Sequence, residues 1–157
     1  MKEIALISAN GPIAGAVLGS LLERGLSVNV LSLYPERVML DETRVTISRL
    51  DVHSEEAMRE ALEGYSTLVI ANETDLSNDD LDNFILKSFD KALNAASQAG
   101  TKRVIVIGAK ESNAFYLSHL NRRQDIDWVY FDTEGDFADR VANEIIEPRY
   151  HYENASF

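Results

Sequence analysis

The chain has 157 residues, a formal net charge of −11 and no cysteine. That length suits one domain, expected over 1–157, and the cysteine count excludes disulfides, thiolate nucleophiles and cysteine-ligated zinc. The acidity excludes general binding to nucleic acid, which needs clustered Lys and Arg, and no apolar run reaches the roughly 20 residues of a membrane helix.

Met1-Lys2-Glu3 leads straight into an apolar run and leaves no room for a signal peptide, so a soluble protein in a reducing, cytoplasmic setting is expected. The first strand runs from Ile4 to Ser8, nearly all apolar, as a parallel strand covered on both faces requires. A small-residue turn follows, and then a helix from Ile13 to Arg24 with Val17, Leu18, Leu21 and Leu22 at helical spacing and Gly25 as its stop. A strand that breaks into such a turn and helix places unpaired backbone N–H groups and a partial positive charge where an anion can sit.

The second strand is expected from Ser27 to Leu33, ahead of the turn at Tyr34-Pro35-Glu36-Arg37. Arg44 to Leu50 alternates in the manner of a strand near a sheet edge. Ser54-Glu55-Glu56 caps a helix whose apolar face is Ala57, Met58, Ala61 and Leu62, with Gly64 at its end. Thr67 to Ala71 is a buried strand that opens into a polar loop beginning at Asn72. A capping-box pattern at Ser77-Asn78-Asp79-Asp80 starts a helix that runs as far as Gly100.

Further strands are expected from Arg103 to Gly108 and from Trp128 to Phe131, with a helix from Phe115 to Arg123 between them. The last helix spans Asp136 to Glu147, and the tail from Tyr150 to Phe157 is either a final edge strand or a frayed end. Alternation of strand and helix throughout gives an α/β, doubly wound, mostly parallel sheet of order 3-2-1-4-5-6, with a seventh edge strand if the tail pairs. Ligands in such a fold bind at the carboxyl ends of the strands, where the order reverses.

On these residues the chain resembles the NAD(P)-binding short-chain dehydrogenase/reductases of the atypical, NmrA-like branch. Ser8-Ala9-Asn10-Gly11-Pro12-Ile13-Ala14 falls without a gap on the branch's Gly-Ala-Thr-Gly-x-x-Gly turn, and Asp51-Val52 on its adenine-holding Asp-Val pair. Gly64-Tyr65-Ser66-Thr67-Leu68-Val69-Ile70, Arg103 to Ile107, Asp136-Phe137-Ala138 and Glu147-Pro148-Arg149-Tyr150-His151 are similar to later family stretches. The resemblance implies NAD(P) as cofactor. It places Ser8, Asn10, Gly11, Pro12 and Ile13 about the pyrophosphate, Asp51 and Val52 at the adenine, and Ala71 and Asn72 at the end of the fourth strand. No acid stands at the end of the second strand, which leaves Ser32 and Arg37 for a 2′-phosphate and a slight preference for NADP.

The departures bear on activity. Ser8 and Ala14 replace two fingerprint glycines, and the first of these normally admits the phosphate. Tyr116 lies where the family's catalytic Tyr is expected, but Leu120 replaces the Lys that lowers its pKa, and Gly108-Ala109 replace the Ser region. His119, three residues beyond Tyr116, is an alternative proton acceptor on the same helix. The segment that holds substrate in family members, between the sixth strand and the last helix, is missing.

No catalytic residue is assigned. The three histidines are scattered, and the acids at 75, 79, 80 and 82 lack the pattern of a calcium loop, so no metal is expected. The expected function is a small NAD(P)-binding protein without a complete dehydrogenase site, acting in cofactor sensing or interaction. The alternatives are an NAD(P)-dependent oxidoreductase or epimerase-like enzyme with a different site, and a scaffold that binds no nucleotide. An exposed, aromatic tail strand would favour a homodimer.

Overall fold

A computed structural model describes residues 2–7, 11–32, 35–37, 43–71, 79–110, 113–147 and 155–156, with the backbone alone for 2–3, 37, 79–87 and 155–156. In chain order the elements are β1 (Lys2–Ile7), α1 (Pro12–Glu23), β2 (Val28–Ser32), a 3-10 turn (Pro35–Arg37), β3 (Val45–Arg49), α2 (Glu55–Leu62) and β4 (Tyr65–Ala71). They continue with α3 (Asp79–Ala99), β5 (Arg103–Gly108), α4 (Asn113–Leu120), β6 (Trp128–Asp132), α5 (Phe137–Ile146) and β7 (Ala155–Ser156).

The strands form one sheet of order β3-β2-β1-β4-β5-β6-β7. Every pairing in it is parallel. The doubly wound order 3-2-1-4-5-6 read from the sequence is therefore present, and the tail adds the seventh strand at residues 155–156. The order reverses between β1 and β4, so the ends of those strands flank the switch point.

Strand side chains alternate between two cores. Ile4, Leu6, Val28, Val30, Val69, Ile105, Ile107, Val129 and Phe131 face α1 and α5, where Val17, Leu21, Val141 and Ala142 close over them. Ala5, Ile7, Leu31, Leu68, Ile70, Val104, Val106, Trp128 and Tyr130 face α2, α3 and α4, where Met58, Leu62, Phe89, Tyr116 and Leu120 meet them. Each fully buried large apolar side chain contributes on the order of 1.5–3 kcal/mol, so both layers are needed to hold the sheet. β3 differs: Val45 and Ile47 are half-buried while Thr46 and Ser48 are exposed, the alternation of an edge strand.

Local chemistry sets the helix ends. The Ser54 side chain accepts from the Ala57 N–H at 3.0 Å and caps α2. α1 ends on Gly25 at φ +77°, with the Leu26 N–H bonded back to the Leu21 carbonyl at 3.1 Å and the Gly25 N–H to the Leu22 carbonyl at 3.0 Å. α1 and α5 are joined by a polar link: Ser20 Oγ donates to Asp139 Oδ1 at 2.7 Å, and Arg24 Nη1 donates to Ser20 Oγ at 2.6 Å. The Ser20 hydrogen bond, and after it the charge of Arg24, hold the Asp139 carboxyl below its ordinary value against an opposing desolvation cost.

Met58→Ala should lower stability by about 2–5 kcal/mol in urea denaturation, since Met58 is fully buried under the sheet. Gly25→Ala should cost roughly 1–2 kcal/mol, because its left-handed backbone crowds a Cβ. The unfolded Asp139 carboxyl titrates near its ordinary value of about 3.9, so the α1–α5 link stabilises fully above that pH and is lost as pH falls through the lower folded value. Ser20→Ala should raise the Asp139 pKa in an NMR titration. The stability gap between wild type and this variant should narrow as the solution is acidified through the same range.

Candidate functional site

The strand register brings the carboxyl ends to one level. Ile7 lies opposite Leu31 and Ile70, Ser32 opposite Arg49, and Ala71 opposite Ile107. These carboxyl ends line one edge of the sheet, and that edge contains the switch point.

Of the turn expected to cradle a pyrophosphate, Ser8 and Asn10 lie outside the described residues, as does Asn72 at the end of β4. Gly11, Pro12 and Ile13 are described. Gly11 is the N-cap of α1 in an extended conformation, φ −151° and ψ 172°, and no side chain caps the helix. Pro12 occupies the first turn, which carries no acidic residue. Ile13 turns inward to the core. A Cβ placed on Gly15 would meet nothing within 4 Å. A helix of 12 residues with an extended glycine cap, no competing side chain and no acid in its first turn suits a bound anion, and the described part of the turn fits a dinucleotide pyrophosphate.

The other expected contacts stand along the same edge. Ser32 ends β2 and is buried, with its carbonyl accepting from the Leu50 N–H at 2.9 Å. Arg37 closes the 3-10 turn just beyond it, where Glu36 pairs with Arg49 at 3.0 Å. Asp51 is exposed, and its Oδ1 accepts from the His53 N–H at 3.0 Å, which holds the carboxylate in a turn. The Val52 side chain is in the core and its carbonyl accepts from Ser88 Oγ at 3.2 Å. Ala71 ends β4, buried against the α1 layer. Gly11, Ser32, Asp51 and Ala71 thus share one edge, on both sides of the switch point.

The family's catalytic positions lie in a different environment. Tyr116 is fully buried, with its ring 4.9 Å from that of Phe89 and 5.8 Å from that of Tyr130. Leu120, one turn on, is equally buried. His119 does not serve Tyr116: its Nδ1 lies 3.1 Å from both carboxylate oxygens of Asp90, and its ring packs on Phe115 at 4.6 Å. A Cβ on Gly108 would lie 2.8 Å from Tyr130 Oη and 3.0 Å from Tyr116 Cε2. The Tyr130 hydroxyl donates to the Ala109 carbonyl at 3.4 Å. Burial, with Asp132 adding to it, pushes its phenol well above the ordinary range, so Tyr130 stays protonated. Sequence reading missed this Gly108–Tyr116–Tyr130 cluster, because its parts come from three elements and no local period links them.

The connection from β6 to α5 is residues 133–136 alone. It is pinned at several points: Asp132 Oδ1 accepts from the Glu134 N–H at 3.0 Å, Arg140 Nη2 donates to the Glu134 carbonyl at 2.7 Å, and Lys110 pairs with Glu134 at 3.0 Å. Among the described residues no group of acids and histidines could hold a metal, and no helix is long and apolar enough to cross a membrane.

Comparison with solved structures gives the fold and nothing finer, since the identities are low. A proposed epimerase from Bacteroides thetaiotaomicron superposes with a TM-score of 0.78 at 20% identity, over 98% of this chain and 94% of that one. An oxidoreductase from Lactococcus lactis gives 0.76 at 17%, over 98% and 89%. The NADPH-dependent quinone oxidoreductase of Escherichia coli, in complex with NADPH, gives 0.71 at 15%, over 98% and 68%. No curated protein sequence matches. A family model described as NAD(P)H-binding matches residues 8–142, from the opening turn through most of α5. With its sheet order, its switch point and that match, the chain belongs to the NAD(P)H-binding family of Rossmann-fold proteins.

Proposed function

We propose that this protein is a single-domain NAD(P)-binding module without a complete dehydrogenase site, which works by sensing the cofactor or by interaction. The observation that carries this reading is the closed aromatic cluster at the carboxyl end of β5. The positions of the family's Ser, Tyr and Lys are taken by Gly108, Tyr116 and Leu120, all buried, and Tyr130 Oη fills the space that a side chain at 108 would need. A phenol sealed within that cluster is not placed to pass a proton to a substrate at the edge. The short β6–α5 connection supports the same reading, because no segment is inserted at that point to cover a second substrate or exclude water.

The cofactor itself would lie across the switch point, its pyrophosphate at Ser8, Asn10, Gly11, Pro12 and Ile13 and its adenine by Asp51 and Val52. Ala71 and Asn72 would border it from β4. With Ser32 at the end of β2, Arg37 beyond it and no acid there to take a free ribose hydroxyl, NADPH is expected to bind somewhat more tightly than NADH. A cytoplasmic homodimer, paired through the outer strand at the tail, goes with this reading. Light scattering that returns the mass of one chain would refute the dimer.

Calorimetry with NADPH and NADH tests the binding: heat should saturate for at least NADPH, and none at millimolar cofactor would overturn the proposal. Gly11→Asp, which puts a negative charge at the cap of α1, should abolish that heat while the circular dichroism spectrum stays unchanged. Cofactor oxidation should be absent with quinones, flavins and aldehydes; turnover that survives Tyr116→Phe would instead establish an oxidoreductase with a different site. Gly108→Ser should destabilise the fold by about 1–3 kcal/mol through overpacking against Tyr130, as measured by urea denaturation.

A further inference from the structure

At the opposite edge from the dinucleotide, around the amino ends of β1, β2 and β4, the surface holds a cleft of about 510 Å³. Sites for small molecules span roughly 300–1,000 Å³, so this one could take a compact ligand. Its described lining carries Ser27, Asn29, Thr43, Arg44, Thr46 and Tyr65 as polar groups and includes no acidic side chain. In a chain of net charge −11 such a lining stands out. Hydroxyls, a carboxamide and a guanidinium make this lining polar, with Arg44 as its charged group and the Thr46 hydroxyl engaged with Asn29.

Asn29 is the informative group. It is only 9% exposed, on a strand whose other described side chains are all buried. Its Oδ1 accepts from Thr46 Oγ1 at 2.8 Å and from Ser48 Oγ at 3.3 Å, so the neighbouring strand fixes the orientation of the carboxamide. The two N–H bonds of the same carboxamide make no hydrogen bond to the described residues. The amide nitrogen therefore opens on the cleft, where it is a donor oriented toward whatever occupies it. Arg44 adds charge to the same wall. Its Nη1 is anchored on the Leu22 carbonyl at 2.6 Å, and its own carbonyl takes the Val28 N–H at 2.9 Å, so the side chain is held at the start of β2.

We propose that this cleft is a second ligand site, distinct from the dinucleotide edge, for a small organic anion. The carboxylate or phosphate group of the ligand accepts from the Asn29 amide and from Arg44, and its polar body lies along Ser27, Thr43, Thr46 and Tyr65. The two sites stand at opposite ends of the same parallel strands, so both can be filled at once.

Titration of the ¹⁵N-labelled protein with inorganic phosphate, and separately with succinate, tests this. Sodium chloride at matched ionic strength is the control. At least one anion should move the Asn29 side-chain amide and the Gly25 to Val28 backbone resonances along a saturating curve; which one does so distinguishes phosphate from carboxylate ligands. Asn29→Asp keeps an acceptor for Thr46 and Ser48 but removes the donors and adds a negative charge, so affinity should fall at least about tenfold while calorimetry with NADPH is unchanged. If that variant fails to fold, Ser27→Asp on the exposed rim carries the same expectation. Shifts confined to Gly11 through Ala14, a response equal to that of chloride, or undiminished affinity in a folded variant would overturn the proposal.

Discussion

Parallel strands buried on both faces are the constraint on which the structure depends. Strand side chains alternate at a period of two, so one face of each strand belongs to α1 and α5 and the other to α2, α3 and α4. Neither core is complete without its helices. The requirement fixes the crossovers, and the crossovers bring every carboxyl end to a common edge. The position of the edge proposed for the cofactor therefore follows from how the apolar surface is divided.

Much of this was legible in the chain itself. β5 falls between the expected bounds, Arg103 to Gly108, and α1 differs by a residue at each end, because a dense apolar pattern and a glycine stop mark them. β1 and β4 begin earlier than expected: Lys2 and Tyr65 pair across the sheet, and pairing of that kind leaves no local signature. α4 is shorter than the expected span from Phe115 to Arg123, since the chain turns at Asn121 and Arg122 once Leu120 is buried. The family was legible in the turn around Gly11 and in Asp51-Val52, because both are short-range sequence patterns.

What stayed hidden was set by distant contacts. The sequence shows Tyr116 with a Leu in place of the expected Lys, but not that the ring is sealed against Phe89 and Tyr130. Likewise Asn29 reads as one polar residue in a buried strand, and its importance emerges only beside Thr46, Ser48 and the cleft at the amino edge. In both cases an isolated polar group gained its meaning from a neighbouring strand or helix.

The close approach of Tyr130 to Gly108 also bears on how such a protein can change over time. While the hydroxyl of residue 130 and the ring of Tyr116 occupy that space, a serine at 108 is overpacked, so the two positions cannot be altered in either order with equal ease. Loss of the phenol oxygen at 130 relieves the shortest of these contacts and gives up only a long hydrogen bond to the Ala109 carbonyl, at 3.4 Å. A side chain at 108 therefore needs two rings to give way, because without the Tyr130 oxygen its Cβ would still lie 3.0 Å from Tyr116 Cε2 and 3.2 Å from Cδ2, and a substitution on β6 opens the space only if α4 shifts with it.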